Sequence, residues 1–182
     1  KAVVRAACQL VVDARIGSAA DSGEQIHDLD IRRTIWIAKS CQKNKMAYVY
    51  LSTARVFSGD VSRLYTEDDY PDSSDSLGEL LIEAESAIRD HCEQHLILRL
   101  GPVFSHRGVN VVTHMLGQLV EGEPMVLENS LRGCPVAALD AGRVVSGVLD
   151  QISTGAQAWG IYHYCSSDAT NCYEFAEVLL AA

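Results

Sequence analysis

Met46-Ala47-Tyr48-Val49-Tyr50-Leu51-Ser52-Thr53 is six apolar or aromatic residues in succession, closed by two hydroxyls. A strand of that make-up, apolar on both faces, belongs inside a parallel sheet with helices laid over each side. The flanking segments agree with this. Upstream, Leu10-Val11-Val12-Asp13 is a short β-branched run, and 24–43 sets Ile26, Leu29, Trp36, Ile37 and Cys41 among polar residues as a helical stripe. Downstream, a polar loop at 58–75 holds Glu67-Asp68-Asp69-Tyr70-Pro71, followed by a helix at 76–93 and an apolar strand at 95–100. Strand and helix alternating in this way predict an α/β fold with a doubly wound parallel sheet. Residues 2–8 read as helix and 14–23 as a small-residue loop.

After Gly101 the elements shorten. A helix is expected at 110–120, a strand at 125–127, a turn at 132–135, a helix at 138–151, a strand at 160–164 and a helix at 173–180. Short, unevenly spaced elements suit a region that completes the sheet and caps the carboxyl ends of its strands, where open parallel sheets hold their ligands.

Composition narrows the partners. At 182 residues, with 48% hydrophobic and 21% charged residues, the chain is long and apolar enough for a well-buried core. A formal net charge of −9 argues against nucleic acid and anionic membranes, which demand a basic face. The lysines between Lys39 and Lys45 read as a solvated helix end. No apolar run approaches the roughly 18–20 residues of a membrane span. No signal-peptide pattern is present either, so the expected location is the cytoplasm. The six cysteines form no CxxC pair and read as reduced, mostly buried thiols. Only His91 and His95 stand at i,i+4, across a helix-to-strand boundary, so no metal site is expected.

Missing motifs say as much. A dinucleotide-binding loop needs closely spaced glycines so that backbone can approach a pyrophosphate. Here no two of the 13 glycines lie closer than five positions apart. The three pairs with P-loop spacing are followed by Glu123, Val148 and Ile161 rather than lysine. HExxH and GxSxG are also missing.

Three stretches carry a resemblance. Leu51-Ser52-Thr53-Ala54-Arg55-Val56-Phe57-Ser58-Gly59 is similar to a strand-end pattern STDxVFxG. Tyr65-Thr66-Glu67-Asp68-Asp69-Tyr70-Pro71, with the helix from Leu77-Gly78 to Ala84-Glu85, is similar to YxExDxxxP…YGxxKxxGE. Leu98-Arg99, 110–116, Gly133-Cys134-Pro135, Asp140-Ala141, Gly160-Ile161-Tyr162-His163 and Tyr173-Glu174-Phe175-Ala176 follow in the order LR…NFVxTML…GxPT…DLA…GIYH…WYEFA. In this order and spacing the chain resembles the extended short-chain dehydrogenase/reductases, in the dTDP-4-dehydrorhamnose reductase branch. The resemblance implies a Rossmann-like sheet whose N-terminal units, with the glycine-rich loop, precede Lys1; the absent initiator methionine fits that expectation. It implies a partial nucleotide-binding region at 1–100 and a sheet-completing substrate cap at 101–182. It also implies NAD(P) as cofactor, a nucleotide sugar as ligand, and a homodimer formed through the helices at 24–43 and 76–93. Trp36, Ile37, Leu80, Ile82 and Ala87 supply apolar surface for that pairing.

The chain departs from the pattern at its chemical centre. The family uses a tyrosine as general acid with a lysine four residues on, one helical turn away, to lower its pKa. Those positions are Leu77 and Leu81, and no lysine follows Lys45 anywhere in the chain. Of the expected triad only Thr53 survives, beside Ser52 at the strand end, where two hydroxyls also serve as turn caps. Leu77, Leu81, Ala84, Ile88 and Cys92 form one apolar helical stripe, so the catalytic positions read as absorbed into packing. The remaining crevice candidates are Arg55, Glu67, Arg99, Asn110 and Pro135. The expected function is a sugar-nucleotide-binding protein with impaired or absent catalysis. The alternative is an active reductase or epimerase that uses Thr53 and Glu67 in a non-standard way.

Overall fold

The computed structural model describes residues 8–15, 28–59, 63–122, 124–127, 129 and 132–181, with backbone only at 28–30. Its main sheet has four strands, all parallel, in the order β1 (Leu10–Asp13), β2 (Ala47–Thr53), β3 (His95–Leu100) and β6 (Gly160–Tyr164). Between β1 and β2 runs α1 (Asp28–Asn44). A 3₁₀ turn (Ala54–Val56) and α2 (Ser76–His91) separate β2 from β3. Then come β4 (Val103–Phe104), α3 (Val111–Glu121), β5 (Val136–Ala137) and α4 (Ala138–Ser153), with α5 (Cys172–Ala181) after β6.

Alternation along β2 and β3 divides the core. Tyr48, Tyr50 and Ile97 pack with Ala38 and Cys41 of α1 and with Leu81, Ala84 and Ile88 of α2. Val49, Leu96 and Leu98 pack instead with Ala141, Val144 and Val148 of α4. Helices therefore cover both faces, as the unbroken apolar character of β2 requires. Leu81 and Ile88 have no exposed surface; burying each stabilises the fold by about 1.5–3 kcal/mol.

Local chemistry sets the helix ends. The carboxylate of Asp75 accepts from the amides of Leu77 and Gly78, both at 2.9 Å, and so starts α2. A side chain at Gly78 would stand 2.0 Å from Ser73 Oγ and 2.7 Å from the Arg55 carbonyl oxygen, so glycine lets α2 begin hard against the 3₁₀ turn. At the end of α1, Lys45 takes the left-handed conformation (φ 55°) while Met46 N–H donates to the Cys41 carbonyl. That closes the helix in a Schellman turn.

Several expectations change. The segment 125–127, with Val126 exposed between half-buried Met125 and Leu127, is not a strand, because among the described residues no neighbouring edge pairs with it. The short second sheet is instead β4 beside β5. Gly133, expected in a turn, forms an antiparallel bridge with Thr170. Arg15, expected in a loop, has helical backbone, and the rest of 16–23 lies outside the described residues. So does the helix expected at 2–8, apart from Cys8, which is in no element, and so does the start of the helix expected from 24. Only Cys41 and Cys92 of the six cysteines are buried; Cys165 and Cys172 are exposed, since both follow the last strand outside the apolar layers.

Candidate ligand cleft and the strut beside it

The carboxyl ends of β2 and β3 open into a cavity of about 620 Å³. Leu51 and Leu100 from the strands, Val103 and Phe104 from β4, and Ala138 and Ala141 from α4 give it an apolar wall. Ser52, Thr53 and Asn110 also line it, as does Arg107. Thr53 Oγ1 accepts from the amide of Arg55 at 3.0 Å, capping the 3₁₀ turn, which leaves the hydroxyl proton for another acceptor. Asn110 caps α3: its Oδ1 accepts from the amides of Val112 and Thr113, and its Nδ2 donates to the carbonyls of Arg107 and Gly108. Its amide therefore shapes the wall and offers no free group. Arg107 is the one ionisable side chain on the described lining, so the described residues offer a ligand a cation and hydrogen-bonding groups but no carboxylate or imidazole.

Glu67, Arg99, Arg55 and Pro135 lie away from the cavity lining, and Ser52, which lines it, commits its hydroxyl to a neighbour of Arg99. Ser52 Oγ donates to Glu85 Oε1 at 2.6 Å, and Glu85 in turn pairs with Arg99 through contacts of 2.7, 3.1 and 3.2 Å. Both ion-pair side chains are only 2% exposed. Arg99 also donates to His163 Nε2 at 3.3 Å and stands 5.0 Å over the ring of Phe57. Because a guanidinium only donates, His163 Nε2 presents a lone pair and the ring is neutral. The His163 amide donates to Glu67 Oε1 at 2.9 Å. This bond, more than any other interaction, holds the Glu67 carboxyl below its ordinary range. Tyr65 stacks on Phe57 at 4.3 Å and its hydroxyl meets Ser58 Oγ at 3.0 Å. Ser52, Glu67 and Arg99 are thus brought together in a polar strut that ties α2, β3, β6 and the acidic loop.

Arg55 is exposed and pairs loosely with Asp75 at 3.7 Å. Pro135 leads half-buried into β5. Leu77 is half-buried against the main core, and Leu81 is inside it. Glu85 and His163 were not singled out by their sequence setting. A signal existed for the first: Glu85 sits among Leu81, Ala84 and Ile88 on a stripe that should be apolar, and Arg99 interrupts an apolar strand. Two opposite charges in buried patterns imply each other. Among the described residues no group of three ligating side chains could hold a metal ion, and no helix is long and apolar enough to cross a membrane.

The whole chain, residues 1–182, matches the family model described as the RmlD substrate binding domain. The chain belongs to that family. Among curated proteins, the dTDP-4-dehydrorhamnose reductase of Escherichia coli K12 is 25% identical over 174 residues, 93% of this chain and 58% of the relative. The chain thus spans less than two thirds of that relative's length. Among solved structures, a dTDP-4-dehydrorhamnose reductase from Bacillus anthracis in complex with NADP superposes with a TM-score of 0.81 at 20% identity. The match covers 99% of this chain and 64% of that one. A UDP-N-acetylglucosamine 4-epimerase from Bacillus cereus gives 0.70 at 22% identity, over 92% of this chain and 61% of that one. At such identities these structures establish the fold, which is Rossmann-like.

Two outcomes follow from the strut. Glu85→Gln leaves the Arg99 charge buried without its carboxylate and should lower the unfolding free energy by about 3–5 kcal/mol in urea. Replacing both, Glu85→Leu with Arg99→Met, should recover most of that loss; a double variant as unstable as the single one contradicts the account. The second concerns pH. Burial first, then Arg99, holds the His163 pKa below its ordinary value, outweighing the opposing pull of Glu67, Glu85 and the Tyr65 backbone. The unfolded chain therefore binds a proton at higher pH than the native one, and stability falls as pH drops below about 6.5 towards the native pKa. His163→Gln should flatten the thermal-midpoint profile in that window, and an unchanged slope would contradict the assignment.

Proposed function

We propose that this chain binds a nucleotide sugar in the cleft at the carboxyl edge of its sheet and does not reduce it by the tyrosine–lysine route. The observation that carries the reading is the make-up of the cleft among the described residues: an apolar wall, the Thr53 hydroxyl, one cation at Arg107, and no carboxylate, histidine, tyrosine, cysteine or lysine. Leu81, at the lysine position, is wholly inside the core, and Leu77 packs against the same cluster. An ammonium at position 81 would lose its hydration there. The Thr53 proton suits a sugar hydroxyl or carbonyl, and the Arg107 guanidinium suits phosphate oxygens. The relatives named for dTDP-4-dehydrorhamnose and for UDP-N-acetylglucosamine supply the ligand class.

NAD(P) enters by the same resemblance, since one structural neighbour is in complex with NADP. These 182 residues contain no glycine-rich loop to receive a pyrophosphate, so no step is assigned to the cofactor here. The division at residue 100, with 101–182 as substrate cap, and a cytoplasmic location belong to the same reading. Glu67, the base of the active alternative, is bonded to the His163 amide and does not line the cleft, which weighs against that route.

In assay with NADPH and a dTDP-4-dehydro sugar, oxidation should not rise above background, because losing the general acid alone forfeits about 10²–10⁴-fold. Turnover within tenfold of an ordinary family reductase would end the impaired-enzyme reading. Calorimetric titration with dTDP should show binding that Arg107→Ala weakens about tenfold; no binding to the unaltered chain would end the ligand reading.

A homodimer through α1 and α2 completes the proposal. Trp36 is 45% exposed on α1, and Leu80 and Ile82 are only half-buried on α2, so apolar surface remains after the core is filled. Sedimentation velocity at micromolar concentration should report two chains, with Trp36→Glu shifting the population to monomer; a monomer from the start refutes the pairing.

A further inference from the structure

Cys134 and Cys165 are 31 positions apart in the sequence and meet at Gly101. A Cβ placed on Gly101 would stand 2.1 Å from the carbonyl oxygen of Cys134 and 3.2 Å from Cβ of Cys165, so the Cys134 backbone and the Cys165 side chain both close on that glycine. Hydrogen bonds hold them there. Gly101 N–H donates to the Tyr164 carbonyl at 3.1 Å, and Val136 N–H donates to the Pro102 carbonyl at 2.8 Å. The residue before Cys134 is fixed as well, since Gly133 exchanges two 2.9 Å bonds with Thr170. The Cys134 thiol lies near enough to Cys165 to push the Cys165 pKa up, after burial. Cys165 is exposed and Cys134 half-buried, whereas Cys41 and Cys92 are sealed in the core.

We propose that Cys134 and Cys165 form a dithiol that closes to an intramolecular disulfide when the protein meets a small-molecule disulfide. Cys165, the exposed partner, attacks one sulfur of the small disulfide as its thiolate; the S–S bond breaks and one small thiolate leaves. The Cys134 thiolate then attacks the Cys165 sulfur and releases the second. Two protein thiols are oxidised, one disulfide is reduced to two thiols, and the two protein protons pass to those thiols. The bridge would tie the end of β6 to the segment entering β5. β5 itself pairs with β4, which carries Val103 and Phe104 into the cleft, so oxidation would lock one cleft wall. This inference does not depend on the identity of the ligand.

The test treats the full chain with glutathione disulfide in mild alkali, since burial and then the neighbouring Cys134 raise the Cys165 pKa and make its thiolate scarce at neutral pH. The expected product loses two hydrogens by intact mass and gives a Cys134–Cys165 linked peptide. Its thermal midpoint rises by roughly 5–10 °C, reversed by a reducing agent. Cys134→Ser should instead keep glutathione on Cys165 with no rise, and Cys165→Ser should show neither link nor rise. A stable glutathione adduct on Cys165 of the unaltered protein, no reaction at Cys165, or a link through Cys172 or between chains would each overturn the proposal.

Discussion

Glu85 and Arg99 sit out of water, and much of the surrounding arrangement follows from that. Desolvating each ion costs several kcal/mol, a loss offset only when geometry is good and every remaining lone pair and proton finds a partner. Glu85 therefore takes a hydrogen bond from Ser52 as well as the guanidinium. Arg99 has a further N–H to place, and it reaches His163 Nε2. The backbone of that same His163 donates to Glu67, so the acidic loop is drawn onto β6. Phe57 offers its face to Arg99 and its stacking surface to Tyr65.

This strut explains why residues expected to meet a ligand do not all do so. Ser52 and Thr53 are neighbours on β2, but alternation sends their side chains to opposite faces. Ser52 turns to α2 and the ion pair; Thr53 turns to the turn cap and the apolar cleft. The chain thus separates a rigid polar joint on one side of the sheet from an apolar recess on the other. In this chain α2 is a packing element, with Leu81, Ala84 and Ile88 fully inside the core.

The strands and most helices were legible because their signals are local. The apolar run at 46–51 and the stripe at 76–93 correspond to β2 and α2 within two residues at each end, and 95–100 and 160–164 are β3 and β6 as expected. The strand expected at 125–127 failed for a non-local reason. Its in-and-out pattern is real, but a strand needs a partner edge, and the sequence does not say where free edges lie. The cysteines were legible in part: their spacing excludes CxxC chemistry, while the approach of Cys134 and Cys165 to one another depends on how two connections pass Gly101.

What the amino-acid sequence determined by itself is the alternation of elements and the apolar strands that demand two covered faces. These are properties of residue type and period, readable without neighbours. What only the tertiary structure decided is which polar groups remain available to a ligand. Ser52, Glu67, Arg99 and Asn110 look alike on the page as candidates. Three are held in the strut and one in a helix cap, while Thr53 and Arg107 face the cleft. The physical reason is that a polar side chain's role depends on which partners reach it, and those partners come from residues as distant in sequence as Glu67 and His163.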